Sequence, residues 1–504
     1  MSSGICWLVG AGPGDPGLLT LRAKECIEQA DVIVYDYLVN SAILSFARPG
    51  IEMIYAGKKA RDHALTQEEI NALIVRLTRD GKKVCRLKGG DPVLFGRGAE
   101  EAGELRAAGV AFEIVPGVSS AIAAPIYAGI PVTHREHSSQ LTIFTGHEDP
   151  TKPGTSLDYD QLASAPGTKV MLMGVERLRP IIGEFLQRGT PSDTPIALIR
   201  WGTTSRQEVL TGTLADIADK VEAAKFKAPA VAVIGSVADL RNDLRWFDNR
   251  PLFGRRVVVT RTRDQAGELS RQLRSLGADA YEIPTIRIEE PKDRLGFGEM
   301  VQDCHTYDWI VFTSPNGVDA FFRIFYRLFQ DARSIGGVRI AAVGPGTAQK
   351  IRENRFAVDL MPKKFVAEGL VEAFAEMSIE HQTVLWVKAD ETREVINEGL
   401  TKLGAIVDEA IAYQTVSETE DVTGGQKRFR EEGADVITFT SASTVECFMA
   451  LKLPMPPNIK IASIGPITSE AIRAHGLTVD AEAKEHTIPG LVDAVKQLMI
   501  GSDK

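Results

Sequence analysis

At 504 residues, with 44% hydrophobic and 25% charged residues, the chain is ordinary for a globular protein but too long for one core; about three or four compact units are expected. Its net charge of −9 argues against nucleic acid and anionic membranes as partners, so any anionic ligand must meet local clusters of Arg, Lys and backbone amides. No apolar run reaches the roughly 18–20 residues of a spanning helix, and the opening MSSGICWLVGAGPG enters a strand without the pattern of a leader.

Strands and helices alternate from the first residues: ICWLVGAG, then LLTLRAKECIEQA, then DVIVYD. That order predicts α/β architecture with largely parallel sheets. The stretch 148–160, EDPTKPGTSLDYD, is rich in Pro, Gly and Asp and divides the first half into lobes of about 1–148 and 149–245. A second break, RNDLRWFDNRPLFG at 241–254, precedes RRVVVTR, the opening strand of a new domain. The five cysteines (Cys6, Cys26, Cys85, Cys304, Cys447) are far apart, with no CxxC and no His at metal spacing. They read as buried hydrophobes of a reduced, cytoplasmic protein, and no metal site is expected.

The second half repeats itself. VVVTR at 257 aligns with VLWVK at 384, and FTSPNGV at 312 with FTSASTV at 439, both at an offset of 127. After a short deletion the offset becomes 121, where AAVGPGTAQKI at 341 meets ASIGPITSEAI at 462 and GLVEAF at 369 meets GLVDAV at 490. Residues 255–500 are therefore two related α/β units.

In LVGAGPGDPGLLT, Gly12 to Gly17 satisfies the dinucleotide pattern GxGxxG, with Asp36 closing the next strand. The chemistry opposes it. Pro13 and Pro16 remove amides that should wrap a pyrophosphate, and Asp15 sets a carboxylate where that anion would sit. In RLKGGDPVLFGRG at 86–98, adjacent Gly89 and Gly90 allow close backbone approach. The Asp91 carboxylate there suits an amine or a ribose hydroxyl. Together the two loops point to a ligand without phosphates.

With IVPGVSSAIAAPIYAGIPVTHR at 114–135 the first half resembles uroporphyrinogen-III C-methyltransferase, of the tetrapyrrole methylase family. VIVYDYLV, GKKARDHALTQEEIN, VMLMG, WGTTSRQEVLTGTL and PAVAVIGSVADLR extend the match over 1–245. The resemblance implies a two-lobed tetrapyrrole methylase fold with S-adenosyl-L-methionine between the lobes, and a homodimer through this half. The implied cofactor contacts are Pro13, Gly89, Gly90, Asp91, Leu94, Ser119, Ser120, Met173 and Gly202. Ser119 and Ser120 stand where the family often has Thr-Ala or Thr-Ser. Asp36 and Lys58 match the family's acid/base positions; a strand-end cap and a solvated lysine are their plainer alternatives. Arg22, Lys59, Arg61, Arg97, His134 and Arg135 are candidate clamps for the substrate's carboxylates.

FTSPNGV, FTSASTV, VGPGT and IGPIT each place hydroxyls and glycines just after a strand, where parallel sheets bind ligands; turn and helix-cap roles compete for the same residues. The order of these blocks, with EIPTIRI and AIAYQTV, resembles uroporphyrinogen-III synthase over 251–500. That family has two Rossmann-like lobes joined by linker strands, which implies one lobe of 251–286 plus 417–500 and another of 287–416. Lobes and sequence repeats then do not coincide. Tyr413 matches a tyrosine that protonates the leaving hydroxyl. Ser314, Asn316, Thr347, Ser441, Ser443 and Thr468 are the candidate contacts to substrate carboxylates. Joined, the halves imply cyclisation of hydroxymethylbilane to uroporphyrinogen III and its methylation at C2 and C7 to precorrin-2. A corrin-stage methylase with a non-catalytic tetrapyrrole-binding second half, and a nucleotide-dependent oxidoreductase, are the rival readings.

Overall fold

The structure is a computed structural model that describes residues 4–48, 50–57, 65–147, 155–260, 263–421 and 424–501. Four five-stranded sheets follow one another along the chain. The first contains β1 (Ile5–Gly10), β2 (Val32–Tyr35), β3 (Glu52–Tyr55), β4 (Lys83–Lys88) and β5 (Ala111–Val115) in the order β3-β2-β4-β1-β5. All its pairs are parallel. β1 and β4 are almost wholly buried, as expected of central strands covered on both faces, although β4 carries the cations Arg86 and Lys88. Trp7, Val9 and Cys85 point to one core, and Cys6, Leu8 and Val84 to the other.

The second sheet takes β6 (Leu141–Thr145), β7 (Thr168–Leu172), β8 (Pro195–Arg200), β9 (Glu208–Thr213) and β10 (Ala230–Ile234) in the order β6-β7-β10-β8-β9. It departs from the parallel expectation. Only β6 and β7 are parallel, because β8 and β9 form a hairpin and β10 inserts antiparallel between β7 and β8.

The second half carries β11 (Arg256–Val259), β12 (Asp279–Glu282), β13 (Ile286–Glu289), β14 (Trp309–Phe312), β15 (Arg339–Ala342), β16 (Thr383–Ala389), β17 (Ile406–Ser417), β18 (Val436–Phe439), β19 (Lys460–Ser463) and β20 (Ala481–Glu482). Its sheets run β12-β11-β18-β19-β20 and β13-β17-β16-β14-β15. The repeat offsets carry β11 and β12 onto β16 and β17, and β14 and β15 onto β18 and β19. Each sheet therefore joins the opening strands of one repeat to the closing strands of the other, in the same spatial order. β13 and β17 pair antiparallel where the chain passes between the sheets, and Glu418 donates its amide to the Thr285 carbonyl at 2.9 Å. Among the described residues no helix is long and apolar enough to cross a membrane.

Candidate functional site

Three loops of the first sheet meet beyond one edge. β1 lies between β4 and β5, with Gly10 opposite Lys88. Past that edge Gly12 and Gly90 exchange backbone hydrogen bonds of 3.1 and 2.7 Å. Side chains are excluded there. A Cβ on Gly10 would stand 2.6 Å from the Gly117 backbone, and one on Gly117 would stand 2.3 Å from the Gly90 carbonyl oxygen. Asp91 fastens the junction. Its Oδ1 accepts from the amides of Val93 and Leu94 at 2.8 and 2.9 Å, and its Oδ2 from the Gly117 amide at 3.1 Å. Asp15 closes the opposite side. It accepts from the Gly17 amide and the Tyr127 hydroxyl, both at 2.8 Å, while its own amide donates to Thr203 Oγ1 at 3.1 Å. With its prolines and this internal bonding, the first loop presents no ring of free amides to a pyrophosphate.

These loops border a cavity of about 870 Å³ whose walls come from both sheets of the first half. Pro13, Asp36, Gly89, Gly90, Asp91, Leu94, Arg97, Ser120, Met173 and Gly202 all reach it. Asp36 follows Tyr35, the register partner of Leu87, which sets it beside Lys88; its Oδ1 accepts the Leu38 amide at 3.0 Å. Other expected residues stand apart. Ser119 caps helix Ser120–Tyr127 and accepts the Ala121 amide at 3.2 Å. Arg22 is bound to Glu113 and Glu25, at 2.6 and 3.0 Å. His134 turns back on its own loop, where its Nδ1 accepts the Glu136 amide at 3.2 Å, and Arg135 is exposed away from the cavity. Arg97 reaches the cavity but is paired with Glu100 at 2.7 Å. Lys58, Lys59 and Arg61 lie outside the described residues.

Sequence reasoning missed a buried charge cluster beneath the loops. Glu101 Oε1 accepts from Arg86 Nε at 3.2 Å, Lys88 Nζ at 2.7 Å and Gln67 Nε2 at 3.1 Å. All three charged side chains are buried. Burial first, then Arg86, pulls the Lys88 ammonium below its usual range. The signal was in RLKGGDP, where cations at 86 and 88 share the inward face of a central strand.

Backbone strain gathers at the same cavity. Phe95, Arg97, Met173 and Trp201 on its wall have φ of 55°, 59°, 56° and 48°, and nearby Thr203 has 69°. Such conformations cost about 1–3 kcal/mol each and persist where surrounding structure enforces them, often at functional sites. Tyr37 meets Trp201 edge-on with ring centroids 5.8 Å apart. The Arg206 guanidinium lies 4.6 Å from the Trp201 ring centroid. Tyr37, Trp201 and Arg206 were not expected from sequence, although WGTTSRQ carries two of them.

In the second half the structure brings Ser314, Asn316 and Tyr413 together. Ser314 caps helix Pro315–Leu328 by accepting the Gly317 amide at 3.1 Å, and its hydroxyl lies 2.9 Å from that of Tyr413. Tyr413 is buried, which pushes its phenol up, while bonds from Ser314 and Asn316 pull it down; burial is the larger effect. Ser441 and Ser443 are 3.0 Å apart on the other sheet, where Ser441 caps helix Ala442–Ala450. Thr347 and Thr468 are buried within the first turns of their helices, which begin at the caps Gly344 and Gly465.

Two family models match the chain. Tetrapyrrole (Corrin/Porphyrin) Methylases covers residues 6–218, and Uroporphyrinogen-III synthase HemD covers residues 267–493. The chain is 36% identical over 501 residues to the "Porphyrin biosynthesis protein HemD" of Ruminiclostridium josui, covering 99% of both. It is 39% identical over 359 residues to the "Uroporphyrinogen-III C-methyltransferase" of Bacillus subtilis, covering 71% of this chain and 73% of the relative. It is also 52% identical over 241 residues to the "S-adenosyl-L-methionine-dependent uroporphyrinogen III methyltransferase" of Methanosarcina barkeri, covering 48% of this chain and 94% of the relative. The chain therefore belongs to the tetrapyrrole methylases through its first half and to the uroporphyrinogen-III synthase HemD family through its second.

Proposed function

We propose that the chain is a bifunctional enzyme of tetrapyrrole synthesis. Residues 251–500 cyclise hydroxymethylbilane to uroporphyrinogen III, and residues 1–245 methylate that product at C2 and C7 to give precorrin-2. The union of the two families in one chain carries this reading, because the product of one reaction is the acceptor of the other.

The first-half cavity fits S-adenosyl-L-methionine. A Cβ on Gly90 would project into open space, its nearest neighbour the Ser120 amide at 3.8 Å, so a ligand can lie against that backbone. The bordering loops offer carboxylates and carbonyls to a cation and no phosphate cradle. When bound, this cofactor supplies an electrophilic methyl group. The glycine loops and the strained Met173 and Trp201 then hold donor and acceptor in line, an alignment worth roughly 7–11 kcal/mol. Asp36 accepts the proton released by the methylated pyrrole, and Lys58 serves as its acid/base partner. In the second half Tyr413 donates a proton to the departing hydroxyl, whose loss the pyrrole nitrogen assists. Ser314 and Asn316 orient the phenol.

The family resemblance supports a homodimer through the first half. Five unpaired cysteines support a cytoplasmic setting. Supplying uroporphyrinogen III with methyl-labelled cofactor tests the first half, and isomer analysis of the ring formed from hydroxymethylbilane tests the second. Two methyl groups per ring and acceleration of the type III isomer are expected. No methyl uptake would favour a corrin-stage methylase, and type I ring alone a non-catalytic second half.

A further inference from the structure

Resting on the methyl-transfer reading above, we infer that Arg206, held on the face of Trp201, is the carboxylate clamp of the first-half cavity and sets its preference for a heavily carboxylated tetrapyrrole. The charges around the cavity single it out. Lys88 is bound to Glu101 at 2.7 Å and Arg97 to Glu100 at 2.7 Å, while Arg428 pairs with Asp279 and Glu432. Among the described residues lining the cavity, Arg206 is the one Arg or Lys with no carboxylate partner.

Its placement is built, not incidental. The Trp201 carbonyl accepts the Thr204 hydroxyl at 2.7 Å, the Arg206 amide donates to that hydroxyl at 3.3 Å, and Gln207 Oε1 accepts the Thr203 amide at 3.1 Å. These bonds hold the turn in which Trp201 and Thr203 take left-handed backbone. The indole covers one face of the guanidinium and leaves its edge N–H groups for a bidentate carboxylate. Tyr37, 56% exposed, stands edge-on to Trp201 at an interplanar angle of 63°, so the pair forms an aromatic corner that a pyrrole ring can contact. A tetrapyrrole lying there would present its acetate and propionate arms at the height of Arg206.

The test uses the full chain and the variants Arg206→Gln and Arg206→Lys. Binding of uroporphyrin III, the oxidised and unreactive octacarboxylate, is measured by fluorescence alongside KM for uroporphyrinogen III. Arg206→Gln should weaken both by about 10- to 100-fold, the range of a charged hydrogen-bonded pair, and narrow the preference over tetracarboxylate coproporphyrinogen III. Arg206→Lys should recover only part, since it lacks the planar fork. Affinity for S-adenosyl-L-methionine and type III ring closure should not change. Uroporphyrin III affinity within about twofold of the native chain, or a parallel loss of cofactor affinity, overturns the clamp. Should the native chain place no methyl on uroporphyrinogen III, the methyl-transfer reading falls, and the binding comparison still decides whether Arg206 holds the ring.

Discussion

Asp91 shows how one carboxylate can serve a site by shaping it. Three backbone amides converge on it, and they tie the RLKGGDP loop to the Gly117 turn that borders the cavity. Asp91→Ala leaves those donors unmatched, at about 1–3 kcal/mol for each that stays buried, and releases the loop. Methyl incorporation should be abolished while type III ring closure from the same preparation is unchanged; loss of both would argue against independent sites. Tyr413 is the corresponding residue of the second half. Tyr413→Phe keeps the ring and removes the hydroxyl that meets Ser314 at 2.9 Å. Ring closure should slow about 100-fold, the low end for a positioned acid, with methylation unaffected; an unchanged rate would remove the phenol from the chemistry. Because burial raises the Tyr413 phenol, the unfolded chain ionises there first. Stability from this group therefore declines only as pH rises above about 10.

Residue types were legible where the backbone constraint is exclusive, as for Gly89 and Gly90, which border the cavity; Asp36 borders it too, and its Oδ1 also accepts the Leu38 amide in the manner of a strand-end cap. They were not legible where a cap and a ligand contact use the same side chain. Ser119 caps helix Ser120–Tyr127, a role serine fills everywhere, while Thr347 and Thr468 lie buried in the first turns of helices that begin at glycine caps. Glu101 was invisible for another reason: helix Gly98–Ala107 must pack against the sheet before its carboxylate meets Arg86 and Lys88.

At the scale of elements, the segment 241–254 looks in sequence like a loose connection, being polar and ending in Pro and Gly. It is instead docked. Trp246 Nε1 donates to the Ile126 carbonyl at 3.0 Å, and the Phe247 ring lies 4.8 Å from Tyr127. Leu252 enters the core of the third sheet. Aromatic spacing, more than composition, carried this information. Phe247→Ala should cost about 3–5 kcal/mol and open the segment. Limited proteolysis with mass mapping should cut the variant within 241–254 and spare the native chain; equal cutting of both would contradict the docking. The internal repeat was legible because two offsets hold over many blocks. The pairing of β11 with β18 was beyond local sequence, since Val257 meets Val436 and only the closed fold brings them together. The antiparallel insertion of β10 was hidden for the same reason, as alternation along the chain carries no strand direction.

For the whole molecule, the significant fact is adjacency. The first-half cavity is bordered by Asp279, Arg428 and Glu432 of the second half. A neighbouring cavity of about 950 Å³ shares Gly14, Asn40, Thr204, Asp279 and Arg428 with it. The two halves thus face common space, with the methylase loops on one side and the first strands of the synthase half on the other. A single incubation addresses the central claim: hydroxymethylbilane and methyl-labelled S-adenosyl-L-methionine, with this chain as the only protein. The predicted product is a type III ring skeleton carrying two labelled methyl groups. Type I uroporphyrinogen without label, or a type III ring that remains unmethylated, would contradict it.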